Sequence, residues 1–160
     1  MTIRKRIDDL GLTLPPPIVA PAGLRLPFEW VRVRGNRAYV SGHVPVGADG
    51  AVAKPLGKVG SDVTVEQGYQ AARLTALAVI ASLDRALGDL ERVTAWLRIF
   101  GMVNSAAGFR QQPLVINGVS DLILELWGPE RGAHARSAVG MAELPFGVPV
   151  EVEAEVEIAV

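Results

Sequence analysis

Arg136 and Glu151 are the residues of this 160-residue chain whose types and settings point most directly to chemistry. Arg136 stands at the head of "SAVGMA", a run suited to burial, so its guanidinium falls near a strand end rather than mid-surface. Arginine stays charged when partly buried, and its planar fork grips a carboxylate through two parallel bonds. Glu151 follows the turn "LPFGVP" and opens a ladder, Glu151, Glu153, Glu155 and Glu157, in strict alternation with apolar residues. Antiparallel pairing of the two strands is expected to bring Glu151 back toward Arg136, making a small-molecule site. A strand-end Arg paired with a surface Glu is the plainer interpretation, and the two residues alone favour it.

Other chemistries find less support. His43 and His134 are the only histidines, there is no cysteine, and neither HxH nor HExxH spacing occurs, so no metal site is expected. Ser41 in "VSGHV" lacks a GxSxG elbow and an evident base. "GADG" and "GKVGSD" lack the lysine–serine ending of a phosphate loop. Sixteen basic against 17 acidic residues give a net charge of −1, which argues against nucleic acid as the main partner. The one basic cluster, Arg4–Lys5–Arg6, is followed at once by Asp8 and Asp9.

These residues need a scaffold, and its elements can be read from periodicity. Ile3, Ile7 and Leu10 have helical spacing; the four prolines in 14–21 then impose an extended arm, expected to lie across the body. "EWVRVRGNRAYVSGHVP" reads as a hairpin turning at Gly35–Asn36. Thr64 and Gln67 form a capping box that opens an Ala-rich helix to about residue 87, with Gly88 as its C-cap. Residues 92–103 alternate as a strand, with Val93, Ala95, Leu97 and Ile99 on one side and Arg92, Thr94, Trp96 and Arg98 on the other. A second long helix enters around 111–113 and stops at Gly128. "ARSAVGMAEL" and "VEVEAEVEIAV" close the chain as two strands about "PFGVP". The order β-β-α-β-α-β-β predicts an α+β fold with two helices on one face of a mostly antiparallel sheet.

Bulk properties agree with one soluble domain. Apolar content is 49% and charged content 21%. The longest apolar runs, such as "LTALAVIASL", fall short of a membrane span of about 20 residues. No membrane association is expected, and the cytoplasm is the default compartment. The domain division expected is an N-terminal arm at 1–24 and a single domain at 25–160. On the sheet face away from the helices, parity places the Glu ladder with Arg32, Arg34, Arg92 and Arg98, and Trp96 and Phe100 with them. Such an aromatic, charged face suggests cover by another subunit.

"YVSGHVP" and, above all, "NGVSDLILELWGPERGAHARSAVGMAELPFGVPVEVEAEVEI" resemble the RidA/YjgF family of imine deaminases, also known as endoribonuclease L-PSP. The resemblance covers roughly residues 28–160. It implies a chorismate-mutase-like fold, a homotrimer with sites in clefts between subunits, and hydrolysis of enamines or 2-imino acids to 2-keto acids without a cofactor. By motif, Arg136 falls on the arginine that binds the substrate carboxylate, and Glu151 on the acidic residue associated with the attacking water. Asn117 corresponds to an Asn-bearing helix position near the site, Ser41 and Gly42 to the Ser-Gly lining the pocket. Phe28 or Trp30 occupies the place of a tyrosine frequent in shorter members.

The chain departs from that pattern in places. His43 stands for the usual Gln, Ala138 for a frequent Cys, and the tyrosine hydroxyl is missing. The arm and the loops at 47–62 and 103–112 mark a longer branch. The deaminase is the leading alternative; a non-catalytic trimer that binds a small carboxylate in the same cleft is its first rival, and a ribonuclease is the weakest of the three.

Overall fold

In the computed structural model, which describes residues 1–20 and 22–160, the chain runs α1 (Ile3–Asp9), β1 (Val31–Arg34), β2 (Arg37–His43), α2 (Val65–Leu87), β3 (Val93–Asn104), α3 (Gln112–Gly132), β4 (Ala135–Met141) and β5 (Val150–Ile158). The reciprocal cap at the start of α2 forms as its sequence requires. Thr64 Oγ1 accepts from the Gln67 amide at 3.1 Å, and the Thr64 amide donates to Gln67 Oε1 at 2.9 Å. Gly88 closes the helix in the left-handed region at φ 74°. In α3 the helical path is broken at Gly128, also left-handed, and a short turn carries the chain into β4.

One five-stranded sheet, ordered β1-β2-β5-β3-β4, carries both long helices on one face. All neighbours are antiparallel except β3 and β4, which are parallel. The helices pack closely because small residues meet where they cross. A β-carbon on Gly118 of α3 would lie 2.2 Å from the Tyr69 carbonyl of α2 and 3.1 Å from the Ala72 side chain. Beneath them Ile116, Leu122, Ile123 and Leu126 are fully buried. Each such side chain contributes about 1.5–3 kcal/mol, against about 0.2–1 kcal/mol for a cross-strand charge pair. The core therefore holds the fold, and the Glu ladder does not.

Three expectations about the sheet are corrected. First, β4 and β5 are not a hairpin: β3 lies between them, and 142–149 cross over instead of turning back. Second, Trp96 faces the helices. Irregularities between Val93 and Ala95 and between Trp96 and Arg98 shift the phase of β3, so Trp96 is 1% exposed and meets Trp127 of α3 edge-on at 5.2 Å. Third, Arg92 belongs to a 3-10 turn before β3 and donates to the Leu87 and Ala159 carbonyls rather than lining the open face. Phe100 does lie on that face, beneath the Arg98 guanidinium and opposite Glu153.

The N-terminal residues pack on this body. Ile3 and Ile7 of α1 are buried in the main core, and Arg6 donates to the Leu126 carbonyl at 2.7 Å. Further along, Arg85 of α2 donates to the Pro15 carbonyl at 3.1 Å, and the Val19 amide to that of Gly50 at 3.0 Å.

Candidate functional site

Arg136 lies on the helix face of β4, in register with Ile99. Its Nη1 donates to Asn117 Oδ1 at 2.9 Å and Ser120 Oγ at 3.0 Å, and Nη2 to the Pro113 carbonyl at 3.4 Å. Asn117 and Ser120 are one helical turn apart, so α3 presents both to the same guanidinium. Behind Ser120 stands His134, whose Nδ1 is 2.7 Å from the Gly132 carbonyl and whose Nε2 is 2.9 Å from Ser120 Oγ. A carbonyl only accepts, so Nδ1 carries the proton and Nε2 accepts from the Ser120 hydroxyl. Burial holds the His134 pKa below its ordinary value, and the Arg136 charge adds to this, which keeps the imidazole neutral in that role. Two Arg136 donors, Nε and one N–H of Nη2, have no acceptor among the described residues.

Glu151 opens β5 on the opposite face of the sheet, in register with Met102. Its side chain lies over Gly42 of β2 and forms part of the wall of a cavity of about 390 Å³ shared with Phe28, Trp30, Val44 and Phe146. Phe28 meets Trp30 edge-on at 5.0 Å, and Trp30 leans on His43 at 4.9 Å. Burial, and secondarily the charge of Glu153, raise the Glu151 pKa above the ordinary carboxylate value. Ser41, next to Gly42, donates its hydroxyl to the Glu29 carbonyl at 2.7 Å and its amide to the Trp30 carbonyl at 3.0 Å, tying the Phe28–Trp30 segment to β2.

The seven residues singled out in the sequence thus fall into two groups. Arg136 and Asn117 touch; Glu151, Gly42, Phe28 and Trp30 share a cavity wall, with Ser41 beside them. The expected meeting of Arg136 with Glu151 within one chain does not occur. Met102 pairs with Glu151 on one side and Val139 on the other, and Arg136, three residues before Val139, projects from the reverse face. A strand and the thickness of the sheet separate the two charges.

Several contributors escaped the sequence reading. Ser120 could have been found from "NGVSD", which sets it three residues after Asn117 on one helix face; no spacing signal joins His134 to them. Phe146, at φ 60° in the turn before β5, is a bulky residue in a region usually left to glycine, and the motif gave no sign of it. His43 is 6% exposed, with Nδ1 2.6 Å from the Ser41 carbonyl and Nε2 2.8 Å from Ser82 Oγ, which Arg85 also bonds at 2.9 Å. Among the described residues no group of His, Asp or Glu is arranged to hold a metal ion.

Comparison with known proteins shows the family. A family model described as "YjgF/chorismate_mutase-like, putative endoribonuclease" matches residues 5–150. The chain belongs to the YjgF/chorismate-mutase-like family. Its relatives include Protein TCP17 of Trypanosoma cruzi, 41% identical over 98% of this chain and 94% of that protein. Among solved structures, Atu1372 of Agrobacterium tumefaciens, a protein of unknown function, is 41% identical over 99% of this chain and 93% of its own, with a TM-score of 0.87. A Shewanella oneidensis protein described as a "putative endoribonuclease" is 32% identical over 99% of this chain and all of its own, with a TM-score of 0.88. The α+β architecture expected of the family is the one observed. No helix among the described residues is long and apolar enough to cross a membrane.

Proposed function

We propose that the protein hydrolyses 2-imino acids and their enamine tautomers to 2-keto acids and ammonia, at sites shared between copies of a homotrimer. The observation that carries this reading is the pair of complementary half-sites on opposite faces of one sheet. One offers an arginine with two unused donors; the other offers a desolvated carboxyl group in an apolar cavity. Neither is complete alone, and a second copy can bring Arg136 of one chain to Glu151 of the next. Partly exposed Tyr39, Phe100 and Phe146 on or beside the open sheet face support such packing.

In this reading Arg136 grips the substrate carboxylate through its free edge, oriented by Asn117 and by the Ser120–His134 relay. Glu151 takes a proton from water as the oxygen attacks the imine carbon, and returns it to the nitrogen. The resulting adduct carries a hydroxyl and an amino group on one carbon; Glu151 then passes the hydroxyl proton to the nitrogen as the C–N bond breaks, releasing ammonia and leaving the keto acid. The raised pKa suits both halves of that transfer, because the group's affinity for a proton lies closer to neutrality. The imine carbon is already electrophilic, so the protein's contribution is positioning and proton transfer.

The nuclease named in the family description draws less on this chain. Both histidines are engaged internally through both ring nitrogens, and the net charge of −1 provides no excess for phosphates. Ammonia release from freshly generated 2-imino acids tests the proposal. The wild type should accelerate it and Arg136→Ala should lose well over tenfold, since two charge-assisted bonds contribute about 1.5–3 kcal/mol each. Carboxylate binding without turnover would leave the non-catalytic binder as the function.

A further inference from the structure

The cavity beside Glu151 is far larger than a two-carbon substituent needs. At about 390 Å³ it lies in the range of sites that take drug-sized ligands. Its lining is apolar apart from Glu151 and backbone. About half of that lining comes from two segments outside the core: Ile18, Ala20, Leu24 and Leu26 from the arm and the residues just after it, and Pro145 and Phe146 from the turn before β5. The arm is held in place by the bonds from Arg85 to Pro15 and from Val19 to Gly50. Leu24 and Phe146 are 44% and 42% exposed, so a ligand entering here would remove apolar surface from water on several sides.

We infer that the substrates are 2-imino acids with branched aliphatic or aromatic side chains, whose apolar group fills this cavity while the reacting carbon stays at Glu151. This rests on the deaminase reading above and adds the substrate class to it. The position of Glu151 on the cavity wall fixes the orientation: the carboxylate must leave toward Arg136 of the neighbouring copy, and the side chain has only the apolar chamber to enter. A substituent of one or two carbons would leave most of the chamber wet.

Imines of serine and threonine origin arise by β-elimination of water and carry short side chains. Leucine- or phenylalanine-sized side chains have no β-hydroxyl to eliminate. Their imines come from oxidation of the Cα–N bond, in which two electrons and two protons leave the amino acid, as when a flavoenzyme amino-acid oxidase passes them to oxygen to give hydrogen peroxide.

Calorimetric titration of the wild-type protein with 2-oxobutanoate, 4-methyl-2-oxopentanoate and phenylpyruvate tests the inference without requiring turnover. Each methylene removed from water is expected to tighten binding roughly fourfold. The two larger acids should therefore bind at least tenfold tighter than 2-oxobutanoate. Ala20→Phe, which adds bulk to the cavity wall, and Leu24→Gln, which makes it polar, should each bring the affinity for the two larger acids down to about that for 2-oxobutanoate; thermal melts confirm that both variants fold. Equal affinity for all three acids, lost together in Arg136→Ala, would overturn the large-substrate inference while the deaminase reading stands. That is also the result expected if a second copy of the chain fills the chamber. If none of the acids binds and no imine is hydrolysed, the deaminase reading fails and the inference with it.

Discussion

Glu151 folds directly over Gly42, so closely that a β-carbon at position 42 would lie 2.1 Å from Glu151 Oε1. Only a glycine admits the carboxyl group at that point of the cavity wall. The clash would fall on the far end of a flexible side chain and not on backbone, so the fold can accommodate it by moving Glu151. Gly42→Ala should therefore lower turnover by tenfold or more, since a displacement of about 1 Å can cost a hundredfold, while the melting temperature changes little. Steady-state ammonia release alongside a thermal melt checks both halves.

The raised pKa of Glu151 sets a pH dependence. Burial is the larger cause and Glu153 the smaller, and both disfavour the ionised form. The base needed for water activation thus appears at higher pH than for an ordinary carboxylate, and kcat/KM should fall as pH drops through that raised value. Glu153→Gln removes one cause and should move the acid limb to lower pH; Glu151→Gln should abolish it. The stability effect has the opposite sense, because the folded state binds this proton more tightly than the unfolded chain. Stability contributed by Glu151 is lost as pH rises through the window between the two values. Glu151→Gln should then be neutral or mildly stabilising at pH 7.

His43 titrates the fold from the other side. Burial lowers its pKa from 6.5 to about 4, with the Arg85 charge adding to the effect. The unfolded chain therefore binds the extra proton between those values. Stability is fully present above pH 6.5 and declines as pH falls toward 4, by roughly 3 kcal/mol if the whole shift is realised. Denaturant melts across that range should show the decline, and His43→Gln, which cannot titrate, should flatten it.

The arm is proposed to be a strap. Deleting residues 1–20 removes two buried isoleucines, Ile3 and Ile7, worth about 1.5–3 kcal/mol each, together with the Pro15 and Val19 backbone bonds. The melting temperature should drop by several degrees or more. An unchanged melt would make the arm a dispensable tail.

Much of the scaffold was legible in the sequence because local signals agreed. The capping box at Thr64, the glycine stops at Gly88 and Gly128 and the hairpin at Gly35–Asn36 each act within a few residues. What failed was long-range. The residues of "SAVGMAELPFGVPVEVEA" suggest a hairpin by adjacency alone, yet α3 is a crossover long enough to set β4 parallel to β3, which leaves β5 to insert between β2 and β3. The irregularities in β3 likewise break the period-2 count and send Trp96 inward. The site residues could be named individually from motifs, but their division between two faces depends on that strand order.

Hybrid assembly addresses the shared site most directly. Arg136→Ala and Glu151→Gln are each expected to be inactive when pure, one for lack of the carboxylate grip and the other for lack of the base. Mixed in equal amounts, unfolded and reassembled together, they should form trimers in which about a quarter of the clefts join an intact Arg136 to an intact Glu151 from a neighbouring copy. Ammonia release should then return to about a quarter of the wild-type rate. Mixtures as inactive as the separate variants would contradict a site built from Arg136 of one chain and Glu151 of the next.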